Sequence, residues 1–124
     1  MRADELTVEI PTLPLEGSQF RWGGNVWEAT TLIEAAKDLP VFDLPLIAID
    51  VSVNPWEFET ILAISQHMKR VLECNLKYPV ILDEFGYICD GWHRVVKALL
   101  LGRSTVTAQR FLTMPEPDYV DEVS

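Results

Sequence analysis

The twenty-five residues from Tyr78 to Gly102 leave this chain the least freedom. Tyr78-Pro79-Val80-Ile81-Leu82 reads as a strand, Asp83-Glu84-Phe85-Gly86 as a tight turn, and Tyr87-Ile88-Cys89 as the return strand of a hairpin. Asp90-Gly91 then passes directly into a helix beginning at Trp92 and stopped by Gly102.

The flanking segments complete the pattern. Leu46-Ile47-Ala48-Ile49 reads as a buried strand. Asn54-Pro55-Trp56-Glu57 reads as a helix start, with Phe58, Ile61, Leu62, Ser65, Met68 and Leu72 following at helical spacing for about four turns. This places His67 near the helix end, where it suits the dipole. The stretch from Ser104 to Leu112, rich in Thr and Val, reads as the last strand. Upstream, Leu6-Thr7-Val8-Glu9-Ile10 alternates like a short strand, and Gly23-Gly24-Asn25 is a turn between aromatic clusters. Thr31 and Glu34 have capping-box spacing, with Thr30 an alternative cap, for a helix over 32–37. The expectation is an α/β (α+β) single domain with a small mixed sheet. Residues 1–43 would be an extension packed on the core, 44–112 the domain proper, and 113–124, with its two prolines and four acids, a solvated tail.

At 124 residues the chain has the size of one domain, and no apolar run exceeds four residues, so no membrane span is expected. The start carries no signal-peptide pattern, which makes the cytoplasm the expected location. Cys74 and Cys89 form no CxxC motif and are read as buried free thiols. The net charge of −9 disfavours duplex DNA as a partner. Residues 67–110 nevertheless carry +3, and the remainder −12. A basic patch on an acidic protein suits a small anion; ordinary surface scatter is the alternative.

The chemistry concentrates at Asp90-Gly91-Trp92-His93-Arg94. A helix N-terminus offers unpaired amides and about half a positive charge. Gly91 would let a ligand approach the backbone, and Trp92, His93, Arg94 and Lys97 would add side chains for a phosphate. Cations there oppose the dipole, at a cost of a few tenths to about 1 kcal/mol each, and a bound anion would offset that. The alternative is that His93 and Arg94 are surface groups paired with Asp90 or Glu84. No metal is expected: His67, His93 and Asp90 match no ligand spacing.

The order Leu44-Pro45-Leu46-Ile47, then Pro79-Val80-Ile81-Leu82, then Asp90-Gly91-Trp92-His93-Arg94, Ala98 to Gly102 and Val106 resembles the ParB/sulfiredoxin-like domain, whose relatives of this size are small bacterial or phage proteins. The resemblance covers about half the chain. It implies a pocket for ATP, ADP or CTP with Mg²⁺, formed by Gly91, His93 and Arg94 with Ser65, Lys69 or Arg70 from the preceding helix. Asp90 would be the base or metal partner in phosphotransfer or hydrolysis. Sulfiredoxin chemistry is excluded, since Trp92 stands where those enzymes carry cysteine. The "GERR" of partition proteins is matched at Gly91 and Arg94 only, and the chain is expected to be too short for their DNA-binding domain. The "DGHHR" of free-serine kinases is nearest, with Glu57, Glu59 and Glu84 as candidates for their catalytic glutamate. The competing class is a non-enzymatic acidic adaptor that binds a protein partner or a second copy; a nuclease is disfavoured by the charge.

Overall fold

The structure, a computed structural model, describes residues 9–11, 18–56 and 58–121. Two sheets organise it. The larger has four strands in the order β3 (Phe42–Pro45), β6 (Thr105–Arg110), β4 (Val80–Leu82), β5 (Ile88–Asp90). β4 runs parallel to β6, while β3–β6 and β4–β5 are antiparallel. The sheet is therefore mixed, as expected. The smaller sheet joins β1 (Gln19–Trp22), β2 (Asn25–Glu28) and β7 (Tyr119–Val120), all antiparallel. Among the described residues three α-helices accompany them: α1 (Ala29–Ala36), α2 (Ile61–Glu73) and α3 (Trp92–Leu100).

The central strand β4 explains the layering. All three of its residues are buried, as befits a strand covered on both faces. Val80 and Leu82 pack with Ile88, Val95, Ala98 and Val106 on the α3 side. Ile81 points the other way, into Trp27, Leu32, Ala36 and Phe111 on the α1 side. Alternation along three residues thus builds two cores.

Helix ends show how the layers are tied. α3 begins at Gly91, whose φ of 110° only glycine adopts readily. A Cβ there would sit 2.8 Å from Val80 Cγ1 and 3.0 Å from Val80 Cα. α3 ends in a Schellman motif: Gly102, at φ 69°, donates to the Leu99 carbonyl and Arg103 to that of Ala98. At the other end of the core, buried Gln109 donates its Nε2 to the carbonyls of Ala36 and Leu39, closing the C-terminus of α1.

Several sequence expectations are corrected. Leu46–Ala48 is a 3₁₀ turn, and the strand lies earlier, over Phe42–Pro45. Pro45 has no N–H to donate, which fits β3's place at the sheet edge. α2 starts at Ile61, not at Asn54-Pro55: Thr60 caps it, accepting from the Ala63 amide at 3.0 Å. Trp56 and Phe58 are instead held in irregular chain by aromatic contacts described below. α1 begins three residues earlier than the capping-box spacing indicates, and Thr31 serves a partner outside its own helix. The expected strand over 6–10 lies largely outside the described residues.

As far as residue 121 the acidic tail is docked on the domain, with its side chains still largely exposed. Trp27 Nε1 donates to the Pro115 carbonyl at 2.8 Å, β7 pairs with β2, and Arg21 bridges to Asp121 at 2.8 Å. Asp118 accepts from the Glu28 amide at 2.7 Å and from Thr31 Oγ1 at 2.8 Å, at the N-terminus of α1. Composition suggested a free tail; backbone pairing and one well-placed carboxylate override it.

Candidate functional site

The strand–glycine–helix junction lies where the sequence placed it, yet its side chains are turned to internal tasks. Arg94 Nη2 donates to Asp90 Oδ2 and to the Pro79 carbonyl, both at 3.1 Å. Each member of this ion pair is under a fifth exposed. Burial raises the Asp90 carboxyl above the usual carboxylate range, against the pull of Arg94 and Arg70. Gly91 leaves no space for a ligand, because Val80 and the Arg94 guanidinium fill its Cβ position. The pairing alternative for Arg94 is therefore the one observed, with Asp90 as its partner.

Lys97 is not beside His93 in a pocket. Its Nζ donates to the carbonyls of Leu72 and Cys74, capping the C-terminus of α2. Lys69 reaches the Ile10 carbonyl at 2.8 Å. Ser65 is half-buried in α2. Among the described residues, only the Arg70 guanidinium, of the expected cations, has no hydrogen bond or ion pair; it stands close enough to His67, His93 and Asp90 to influence all three. Glu57 lies outside the described residues.

His67 is not at a helix end. It lies in the middle of α2, and its Nδ1 is 2.8 Å from Nε2 of His93. Trp56 covers both imidazoles, with ring centroids 4.7 and 4.5 Å away. Burial depresses both histidines, with Arg70 adding to the effect; His93, which also faces His67 and Arg94, is pushed down to about 4. The described residues contain no group of three or more His, Cys, Asp or Glu side chains placed to hold a metal. Cys74 and Cys89 are free and half-buried. Burial and the nearby Asp83 and Asp90 carboxylates raise the Cys89 thiol and so favour its protonated form.

A ligand-sized space begins at Trp92. A groove of about 560 Å³ lies between the β1–β2 hairpin, the chain around Ile49 and Asp50, and the turn before β5. Its walls carry Phe20, Trp22, Phe85, Tyr87 and Trp92, and its volume falls in the range of small-molecule sites. Trp22 stacks on Tyr87 at 5.3 Å and tilts against Phe85 at 6.1 Å. These rings are large and exposed: Trp22 is 47% accessible, Phe85 63% and Tyr87 57%. Asp83 fixes the turn that carries Phe85 and Tyr87, accepting on Oδ1 from their amides while itself buried. Arg21 and Asp50 supply the charged groups of the groove.

Sequence reasoning found Trp92 but missed the other four rings. Their signal was present in aromatic residues flanking two tight glycine turns, Trp22 before Gly23-Gly24 and Phe85 and Tyr87 around Gly86. What it lacked was the fold, which brings the two turns together.

Among the described residues no helix is long and apolar enough to cross a membrane. The chain matches no protein-family model, and comparison with curated proteins and with solved structures gives no significant match.

Proposed function

We propose that this protein is a non-catalytic binding domain of the ParB/sulfiredoxin-like type that takes the flat ring of a small molecule, a nucleotide being the ligand class, in the aromatic groove beside α3. The observation that carries the reading is the groove itself, where five aromatic residues line one space that ends at the first residue of α3. The order β3, α2, β4, β5, α3, β6 follows the order of the motifs that resemble that family.

Base stacking on such rings contributes about 1–3 kcal/mol and tolerates many heterocycles. An anionic group on the ligand would meet Arg21, the cation that lines the groove and also bridges to Asp121. Mg²⁺ would arrive on the phosphates rather than on protein ligands. Catalysis is left out of the proposal because Asp90 is committed to Arg94.

A thermal-shift series with adenosine, ATP, ADP and CTP, with and without Mg²⁺, tests this. A ligand at 100 times its Kd stabilises by about 2.7 kcal/mol. Stabilisation by adenosine and ATP alike supports ring recognition, and Trp22→Ala should abolish most of it. No response to any of them overturns the reading and favours an adaptor. That second reading draws on α2, where Ile61 is 79% and Leu72 75% exposed.

A further inference from the structure

We propose that His67, His93 and Trp56 form a clasp that acid releases, and that it controls the groove by holding down the chain that forms one of its walls. This rests on the reading of the groove as a binding site. Val53 and Pro55 line the groove, and Trp56 is the next residue.

The geometry of the clasp is specific. The imidazole centroids are 5.1 Å apart with a 15° angle between planes, while Nδ1 of His67 and Nε2 of His93 are separated by only 2.8 Å. The two nitrogens must therefore lie between the ring centres, so the rings sit edge to edge in nearly one plane. Trp56, 4.5 and 4.7 Å from their centroids, lies across the hydrogen bond that joins them. Phe58 closes the side of His67, edge-on at 5.2 Å. One N–H donor and one lone pair are needed for this bond, which two neutral imidazoles or a singly protonated pair can supply. A doubly protonated pair has donors only, and the bond is lost.

Each of the two helices that carry the pair also carries a cation that opposes its protonation. α2 contributes Arg70, and α3 contributes Arg94. Asp90 faces those two guanidiniums, and its carboxylate pairs with Arg94. Phe58, on the irregular chain, is apolar, and Glu59 beside it is exposed. The sign follows directly. In a released chain the histidines return to the ordinary value of about 6.5. Folded, both are depressed, His93 to about 4. The clasp is therefore complete above the ordinary value, weakens as pH falls below it, and is lost as pH falls through the folded value.

The experiment uses the full chain without ligand first. Imidazole resonances are followed from pH 8 to 4, and the Trp56 contribution to fluorescence is taken as wild type minus Trp56→Phe. Both histidines should titrate below 6.5, and the Trp56 emission should shift to the red over the same interval. His67→Gln/His93→Gln should remove that pH dependence; the wild-type titration decides the matter even if this variant fails to fold. Histidines that titrate at 6.5 or above, or a Trp56 emission unchanged through both protonations, overturn the clasp. Adenosine is then titrated at pH 7 and 4.5, with at least tenfold weaker binding expected at 4.5. Equal affinity at the two pH values overturns control of the groove. Absence of adenosine binding at pH 7 instead overturns the groove reading, while the ligand-free measurements still decide the clasp.

Discussion

Asp118 lies ninety residues from the Glu28 amide it binds, and its removal measures how firmly the C-terminal segment is built in. Helix α1 has no side-chain cap of its own and no acid in its first turn. Asp118 supplies both from the far end of the chain, accepting from the Glu28 amide at 2.7 Å and from Thr31 Oγ1 at 2.8 Å. Loss of an N-terminal cap costs about 0.5–2 kcal/mol, and a charge-assisted hydrogen bond is worth about 1.5–3 kcal/mol where water is excluded. Both bonds here are exposed, which places Asp118→Ala near about 1.5 kcal/mol. For a domain of this size that is a fall in Tm of about 6 °C. Asp118→Asn keeps one acceptor and loses the charge, so about half the effect is expected. A double-mutant cycle with Thr31→Val, read by urea denaturation, should return a coupling of about 0.5–1 kcal/mol. Deleting residues 115–124 also strips the partner from the Trp27 indole, which is 4% exposed, and should cost about 3–4 kcal/mol in all. An Asp118→Ala stability within about 0.3 kcal/mol of wild type would refute the reasoning and return the segment to the solvated role that its composition suggests.

Two further perturbations probe the junction before α3. Arg94→Ala leaves the Asp90 carboxylate without its cation, and a loss of about 2–3 kcal/mol is expected at neutral pH. Burial already raises Asp90 above its unfolded value, so the folded state favours the protonated acid. The deficit of Arg94→Ala should therefore shrink as pH falls through the carboxylate range, and a deficit constant from pH 7 to 3.5 would contradict the assignment. Gly91→Ala should cost about 3 kcal/mol, since it adds a Cβ at φ 110° against the Val80 backbone. A denaturation midpoint equal to wild type would show that β4 and α3 can separate freely.

The hairpin, the glycine junction and α3 were legible because each is written in local chemistry. Gly86, Gly91 and Gly102 all adopt positive φ at the turns their positions imply. The mixed sheet followed from one hairpin among alternating elements. What local chemistry could not show was long-range pairing. β7 has two exposed residues and no hydrophobic pattern, and exists because β2 offers an open edge. The start of α2 was misplaced because Asn54-Pro55 has the composition of a cap while Trp56 gains more by stacking on His67 and His93. The candidate site shows the same division. Asp90, Gly91, Trp92, His93 and Arg94 share the expected junction, but spacing alone could not reveal that Arg94 faces inward. Nor could it show that Lys97 caps α2, or that the aromatic groove opens on the Trp92 side.

The groove is tested most directly by the indole N–H resonances of the four tryptophans during an adenosine titration at pH 7. The account predicts that the signals of Trp22 and Trp92, which line the groove, shift together and saturate. The signal of Trp27, buried and bonded to the Pro115 carbonyl, should stay in place. Resonances of Trp22 and Trp92 that do not move at millimolar adenosine, or a shift confined to Trp27, would contradict it.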